Sequence, residues 1–284
     1  MPELLIVGGL TVDRFANGGL APGGSVLHAT RAGARAGLRT AVVTTAGSEP
    51  TAREGLDELA RLAAAAEVQP AAETIRFRHH ETVTGRRLWL ECPGPPITLS
   101  KSVVDRFHSH AILFAPVASE VSASSLHLWD DPRLRGAILQ GWLRRAGEDR
   151  QVQPVTPAAL DDELVAALGR LDVLVASRED LVAAAESPVA QLRALRTRVG
   201  PGPMLVVTDG PEGVWIEDRA EVPRHLAAPW RVEGVPMVGA GDAFAALFVA
   251  RLEAIVPRPA QVDATAERAM RGVADMLEAR RARS

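Results

Sequence analysis

The 284-residue chain is 47% hydrophobic and carries 32 Lys plus Arg against 35 Asp plus Glu, a formal charge of −3. That fraction fills a sizeable core, and basic residues spread without a dominant block exclude an electrostatic grip on nucleic acid or an anionic membrane. Cys92 is the single cysteine, which excludes an internal disulfide and a thiolate metal cluster and leaves oxygen to hold any metal.

The chain opens Met1-Pro2-Glu3-Leu4-Leu5-Ile6-Val7, with no basic n-region, and no later apolar run is long enough to span a bilayer, so a cytoplasmic protein is expected. Leu4 to Val7 reads as a buried strand feeding the Gly8-Gly9 turn. Ser25 is expected to cap a helix running through Ala36 to Gly37. Thr40 to Thr44 reads as the next strand and Thr51 to Ala65 as the next helix, the β-α-β-α spacing of a mostly parallel sheet covered on both faces. Alternation in Ile75 to Phe77 and Leu88 to Leu90 predicts an antiparallel hairpin turning near Gly85, a lid over residues 74–91. Ala111 to Phe114 resumes the sheet, and Thr156-Pro157 opens a helix to Leu168. Val173 to Ala176, Ser187-Pro188 to Val199 and Met204 to Thr208 continue the alternation. Gly213 to Glu217 and Glu221 to His225 read as antiparallel strands beyond it.

Three constellations carry chemistry. Gly239-Ala240-Gly241-Asp242 precedes Phe244, Leu247, Phe248 and Leu252 at helical spacing, so a buried helix starts at the glycines. The first amides of a helix lack intrahelical partners and sit at the positive end of its dipole, which makes them an anion site. Asp242 in that turn is placed to take a proton from an attacking hydroxyl, although the same four residues also fit an ordinary turn with an aspartate at a helix start. Asp13 after the first strand and Gly23-Gly24 before the first helix point to the carboxyl ends of the strands, where open parallel sheets bind ligands. Thr208-Asp209-Gly210-Pro211-Glu212-Gly213 is a strand-turn-strand able to flank phosphates, or a plain turn.

Other chemistries find no support. Lys101, the single lysine, lacks the glycines of a Walker A loop, and a pyridoxal Schiff base would rest on it alone. The third glycine of a dinucleotide fingerprint would fall at Phe244. His79-His80 and His108-Ser109-His110 lack a matching third and fourth metal ligand.

Taken in order, these elements resemble the ribokinase-like, or PfkB, family of carbohydrate kinases over nearly the whole chain. The resemblance implies a single α/β domain over residues 1–284, a doubly wound, mostly parallel sheet flanked by helices with a small β lid. It implies ATP as donor, Mg²⁺ as companion ion, and a sugar, a cyclitol or a nucleoside as acceptor. Gly239, Ala240 and Gly241 would be the anion hole and Asp242 the base. Asp13, Gly23, Gly24 and His28 would hold the acceptor, Ser177, Thr208, Gly210 and Gly213 the nucleotide side, and Asp180 the metal. Gln140-Gly141-Trp142-Leu143-Arg144 resembles a segment of inositol-kinase-like members, which tilts the expectation towards a cyclitol or sugar.

The chain also departs from the family pattern. Pro236-Met237 stand where members usually have Asp-Thr, which alters the phosphate and cation environment. Ser177-Arg178-Glu179-Asp180 replaces Asn-x-x-Glu and reads equally as a helix-capping pair; His28 replaces an Asn. These changes keep open a non-catalytic sugar or nucleotide sensor, against which the retained Asp13 and Asp242 argue. Only Arg14 to Pro22 separates Asp13 from Gly23, so a reduced lid without a first hairpin is expected, with a monomer or a homodimer built away from the lid.

Overall fold

The computed structural model describes residues 1–82, 85–127, 133–219, 222–232, 234–252 and 258–282. The N-terminal part contains β1 (Leu4–Gly8), β2 (Thr11–Arg14), β3 (Leu20–Gly23), α1 (Ser25–Arg35), β4 (Thr40–Ala46), α2 (Pro50–Leu62) and β5 (Ala65–Pro70). The middle contains β6 (Ile75–Thr82), β7 (Gly85–Cys92), α3 (Lys101–Phe107), β8 (Ala111–Ala115), α4 (Ala123–His127), β9 (Leu134–Ile138), β10 (Arg144–Ala146) and β11 (Val152–Pro154). Then follow α5 (Asp162–Leu168), β12 (Val173–Ser177), α6 (Pro188–Val199), β13 (Met204–Thr208), β14 (Gly213–Glu217), β15 (Arg224–Ala227), α7 (Ala240–Arg251) and α8 (Pro259–Arg281).

The main sheet runs β15-β14-β13-β12-β9-β8-β1-β4-β5, parallel except for the two antiparallel strands at the β15 edge. β1, β4 and β8 are buried along their whole length, which is why they read as unbroken apolar runs. The pleat sorts their side chains: Leu4, Ile6, Val42 and Leu113 pack with α1, α7 and α8, whereas Leu5, Val7, Val43 and Phe114 pack with α3 to α6. This is the doubly wound α/β architecture expected from the sequence. β1 pairs with β4 on one side and β8 on the other, so strand order reverses there and opens a crevice at its carboxyl end. A Cβ at Gly8 would lie 2.1 Å from the Ala115 carbonyl oxygen, so the strands close up at that point only around glycine.

A second sheet, ordered β3-β2-β6-β7, is the lid. The expectation of a lid without a first hairpin is corrected: residues 14–22 do form one, with Arg14 facing Leu20 and Asp13 facing Ala21. The short span suffices because Gly18 turns at φ 80°, Gly18 N donates to Phe15 O at 2.9 Å, and Phe15 N donates to Gly19 O at 2.9 Å. With that hairpin present, the reason for placing a dimer contact away from the lid falls. The second hairpin pairs β6 with β7 as predicted; residues 83–84 between them lie outside the described residues. The lid is tied down along β7, where Leu90 N donates to Arg150 O at 2.9 Å and Trp89 bridges Gln151.

Local expectations fail where caps and edges decide. Gly24, at φ 94°, is the N-cap of α1, and Ser25 is its first residue. The expected helix from Thr51 to Ala65 stops at Leu62, and β5 follows as a half-exposed edge strand. Asp161, accepting from Leu164 N at 2.7 Å, starts α5 where one helix from Pro157 was expected. The last strand is Arg224–Ala227; Glu221, expected to begin it, lies outside the described residues.

Candidate active site

The start of α7 is shaped by two glycines with different duties. Gly239 is the N-cap at φ 78°, and a Cβ there would lie 2.4 Å from the His28 ring, so conformation and packing both demand glycine. Around Gly241 a Cβ would meet nothing within 4 Å, so this backbone faces open space. Ala240 N donates to Met237 O at 3.0 Å, whereas the amides of Gly241 and Asp242 have no acceptor among the described residues. They are unspent donors at a helix N-terminus.

Asp242, in the same turn, is 8% exposed. Burial pushes its carboxyl above the usual aspartate range, opposed by His28, Ser25 and Arg144 and reinforced by Asp180. The Ser25 hydroxyl is buried and lies close without completing a hydrogen bond of normal geometry. His28 has its pKa lowered, chiefly by burial and against the pull of Asp242 and Asp13; its Nδ1 is enclosed without a partner among the described residues. His28 thus feels the charge of both carboxylates.

On the lid side, β2 presents Asp13, which accepts from Thr11 Oγ1 at 3.0 Å and lies 3.3 Å from His79 Nε2. His79 is 7% exposed, and the Phe15 ring lies over it with centroids 5.2 Å apart. In the sequence His79 stands out only as a metal-ligand candidate beside His80. Its signal was the alternation of β6, which puts His79 on the same face as Phe77, two residues away. The glycine pair serves the scaffold: a Cβ at Gly23 would lie 2.3 Å from Asp13 Oδ2 and one at Gly24 2.2 Å from Gly9 O.

On the opposite side, Thr208, Gly210 and Gly213 line one cavity with Ala240 and Gly241. Its far wall is apolar, with Trp230, Met237, Phe244, Met270 and Leu277. The structure therefore joins the strand-turn-strand to the start of α7 around one cavity. Ser177 and Asp180 lie outside that lining.

Asp180 has other partners. Its Oδ1 accepts from Arg144 Nε at 2.9 Å and lies 2.7 Å from Nη2, while Oδ2 accepts from Ser177 Oγ at 2.7 Å and Ser177 N at 3.2 Å. A carboxylate holding a guanidinium and a capping serine has little left for a hard dication, and no group of three or more His, Cys, Asp or Glu converges among the described residues. This donor set does not fit a magnesium ion held by the protein. The apolar wall, the open backbone at Gly241 and the unspent amides do fit a nucleotide with its phosphates at α7.

Among the described residues no helix is long and apolar enough to cross a membrane. No curated protein sequence matches the chain. A pyrophosphate-dependent kinase in the ribokinase family, solved as a sulfate complex, superposes with a TM-score of 0.74 at 16% identity, over 97% of this chain and 95% of that one. A pyrophosphate-dependent myo-inositol-1 kinase, converted by mutation into a myo-inositol-3 kinase, gives 0.70 at 16% identity over 96% and 92%. Arabidopsis thaliana ribokinase with ribose and ATP gives 0.69 at 15% over 97% and 98%. At such identities these likenesses show the fold alone. The pfkB family carbohydrate kinase model matches residues 8–271, and on that match this chain belongs to the pfkB family of carbohydrate kinases.

Proposed function

We propose that the protein transfers the γ-phosphoryl of ATP to a hydroxyl of a sugar or cyclitol, with Asp242 as general base. The observation that carries this reading is a buried carboxylate, its pKa raised, in the same helical turn as two unspent amides and beside the open space in front of Gly241. A base whose pKa is shifted towards neutrality transfers protons efficiently, and fixed amides stabilise charge on migrating phosphoryl oxygens. The acceptor oxygen bonds to the γ-phosphorus as its proton passes to Asp242; the bond to the β-phosphate oxygen breaks and ADP leaves. Asp13 and His79 offer an acceptor and a donor at one spot, suited to neighbouring hydroxyls of a polyol. A magnesium ion carried by the donor's phosphates would supply charge neutralisation there.

Pyrophosphate is the second donor to weigh, because two of the similar folds use it. The apolar wall around Trp230 favours a nucleotide, since pyrophosphate has no surface to bury against it. The test is ADP release from ATP, and phosphate release from pyrophosphate, over a panel of sugars, inositols and nucleosides, with Asp242→Asn as control. Turnover with ATP on a polyol, lost in the variant, supports the reading. An unimpaired variant, or turnover with pyrophosphate only, overturns the base or the donor respectively.

A further inference from the structure

The segment just before α7 has an unusual support. Arg280, in the last turn of α8, donates through Nη1 to Pro236 O at 3.2 Å and to Val238 O at 2.8 Å. Its Nη2 reaches Met276 Sδ, one helical turn earlier, at 3.8 Å. The carbonyl between those two, Met237 O, is already taken by Ala240 N at 3.0 Å. Alternate carbonyls of a short exposed segment therefore converge on one positive group, while the middle carbonyl ties the segment to the helix.

Converging backbone carbonyls are hard oxygen ligands, the same donors that hold monovalent cations elsewhere. Here the positive group is covalently attached. A guanidinium stays charged throughout the working pH range and has donors in a fixed fork. Burial and the nearby Arg31 push the Arg280 pKa down, so the charge is kept in place against an electrostatic penalty. Its field reaches the site, since Arg280 is among the charges that lower the pKa of His28. Position adds to this: Val238 precedes the N-cap Gly239, and Met237 lines the donor cavity, so any rotation of residues 236–238 would re-aim the α7 amides. Pro236 stands where a carboxylate would invite a free cation, and a proline side chain offers it no ligand.

We propose that Arg280 is a positioning residue that acts as a built-in monovalent cation for the Pro236–Val238 loop, so that this enzyme needs no potassium-like ion. The inference rests on the phosphotransfer reading of the site. Wild type should turn over equally in potassium chloride and in choline chloride at matched ionic strength. Arg280→Met, which keeps the stem beside Met276, should lower kcat by about 10- to 100-fold, the cost of a misplaced anion hole. It should then become cation-dependent, regaining activity with potassium or with non-denaturing guanidinium chloride, and Arg280→Lys should fall between.

A readout without turnover separates the two claims. In the unliganded protein, the amides of residues 238–242 should exchange hydrogen faster in Arg280→Met, and potassium or guanidinium should slow them again. That result supports the clamp even if the phosphotransfer reading fails. Potassium stimulation of wild type, unchanged exchange in the variant, or losses that no cation restores would each overturn it.

Discussion

Two buried aspartates lie close enough for the charge of one to raise the pKa of the other, and their surroundings give them opposite jobs. Asp180 is 2% exposed and has both oxygens engaged by Arg144 and Ser177. Asp242 is 8% exposed, completes no hydrogen bond of normal geometry among the described residues, and is pushed towards its neutral form by burial. A carboxylate with both oxygens taken by donors becomes part of the framework, whereas burial with few donors raises the affinity of Asp242 for a proton. Residue type and burial are shared; the partners decide.

Exchange of the carboxyl for an amide tests this contrast most sharply. Asp242→Asn should cost about 10³-fold or more in kcat, within the range for losing a general base acting beside other intact groups. The same variant should be more stable at neutral pH. The folded pKa is raised, so folding favours the protonated carboxyl, and stability declines as pH climbs from the unfolded to the folded pKa. Above that window Asn removes a buried charge, and thermal melting should move upward. A lower melting temperature would mean that the carboxylate is held by contacts as Asp180 is.

Asp180→Ala should behave in the opposite way. Removing one partner of a buried pair costs about 3–5 kcal/mol, because Arg144 would keep its charge without its counter-ion. Melting should fall strongly, while the magnesium concentration needed for half-maximal turnover should stay unchanged. A rise in that concentration would restore the carboxylate to the metal. Gly241→Ala fills the open space in front of the helix with a methyl group, and should raise the KM for ATP by about tenfold while leaving melting near wild type. Smallest is the pH effect: the acid limb of kcat/KM against pH, which reports the free enzyme, should lie above the usual aspartate range and disappear in Asp242→Asn. An acid limb at an ordinary aspartate pKa would show that burial does not hold the Asp242 proton.

The parts legible in the sequence were those fixed by local pattern. Strands buried on both faces wrote themselves as Leu4-Leu5-Ile6-Val7 and Ala111-Ile112-Leu113-Phe114, and Ser187-Pro188 marked the start of α6, where Ser187 caps Ala190 N. Gly239 to Asp242 announced a helix start because the glycine and the apolar periodicity lie side by side. Relations between distant residues were not written in any window. The ion pair of Arg144 with Asp180 spans 36 positions, and the clamp from Arg280 to Pro236 spans 44. The first lid hairpin is hidden for another reason: the segment is short, and it is the Asn17-Gly18 turn inside it that lets so few residues reverse the chain. β5 follows α2 almost directly, and its alternating burial is weaker punctuation than a glycine or proline stop.

From Asp242 to Val249 every residue of α7 is buried, and the helix packs against the sheet on one side and α1 and α8 on the other. A ledge so deeply keyed into its surroundings cannot wobble by itself: whatever loosens it must first part the layers that grip it. Warming should therefore leave catalysis intact until the molecule as a whole gives way, and adaptation to new acceptors would be sought in the side chains of the roof while the floor stays fixed.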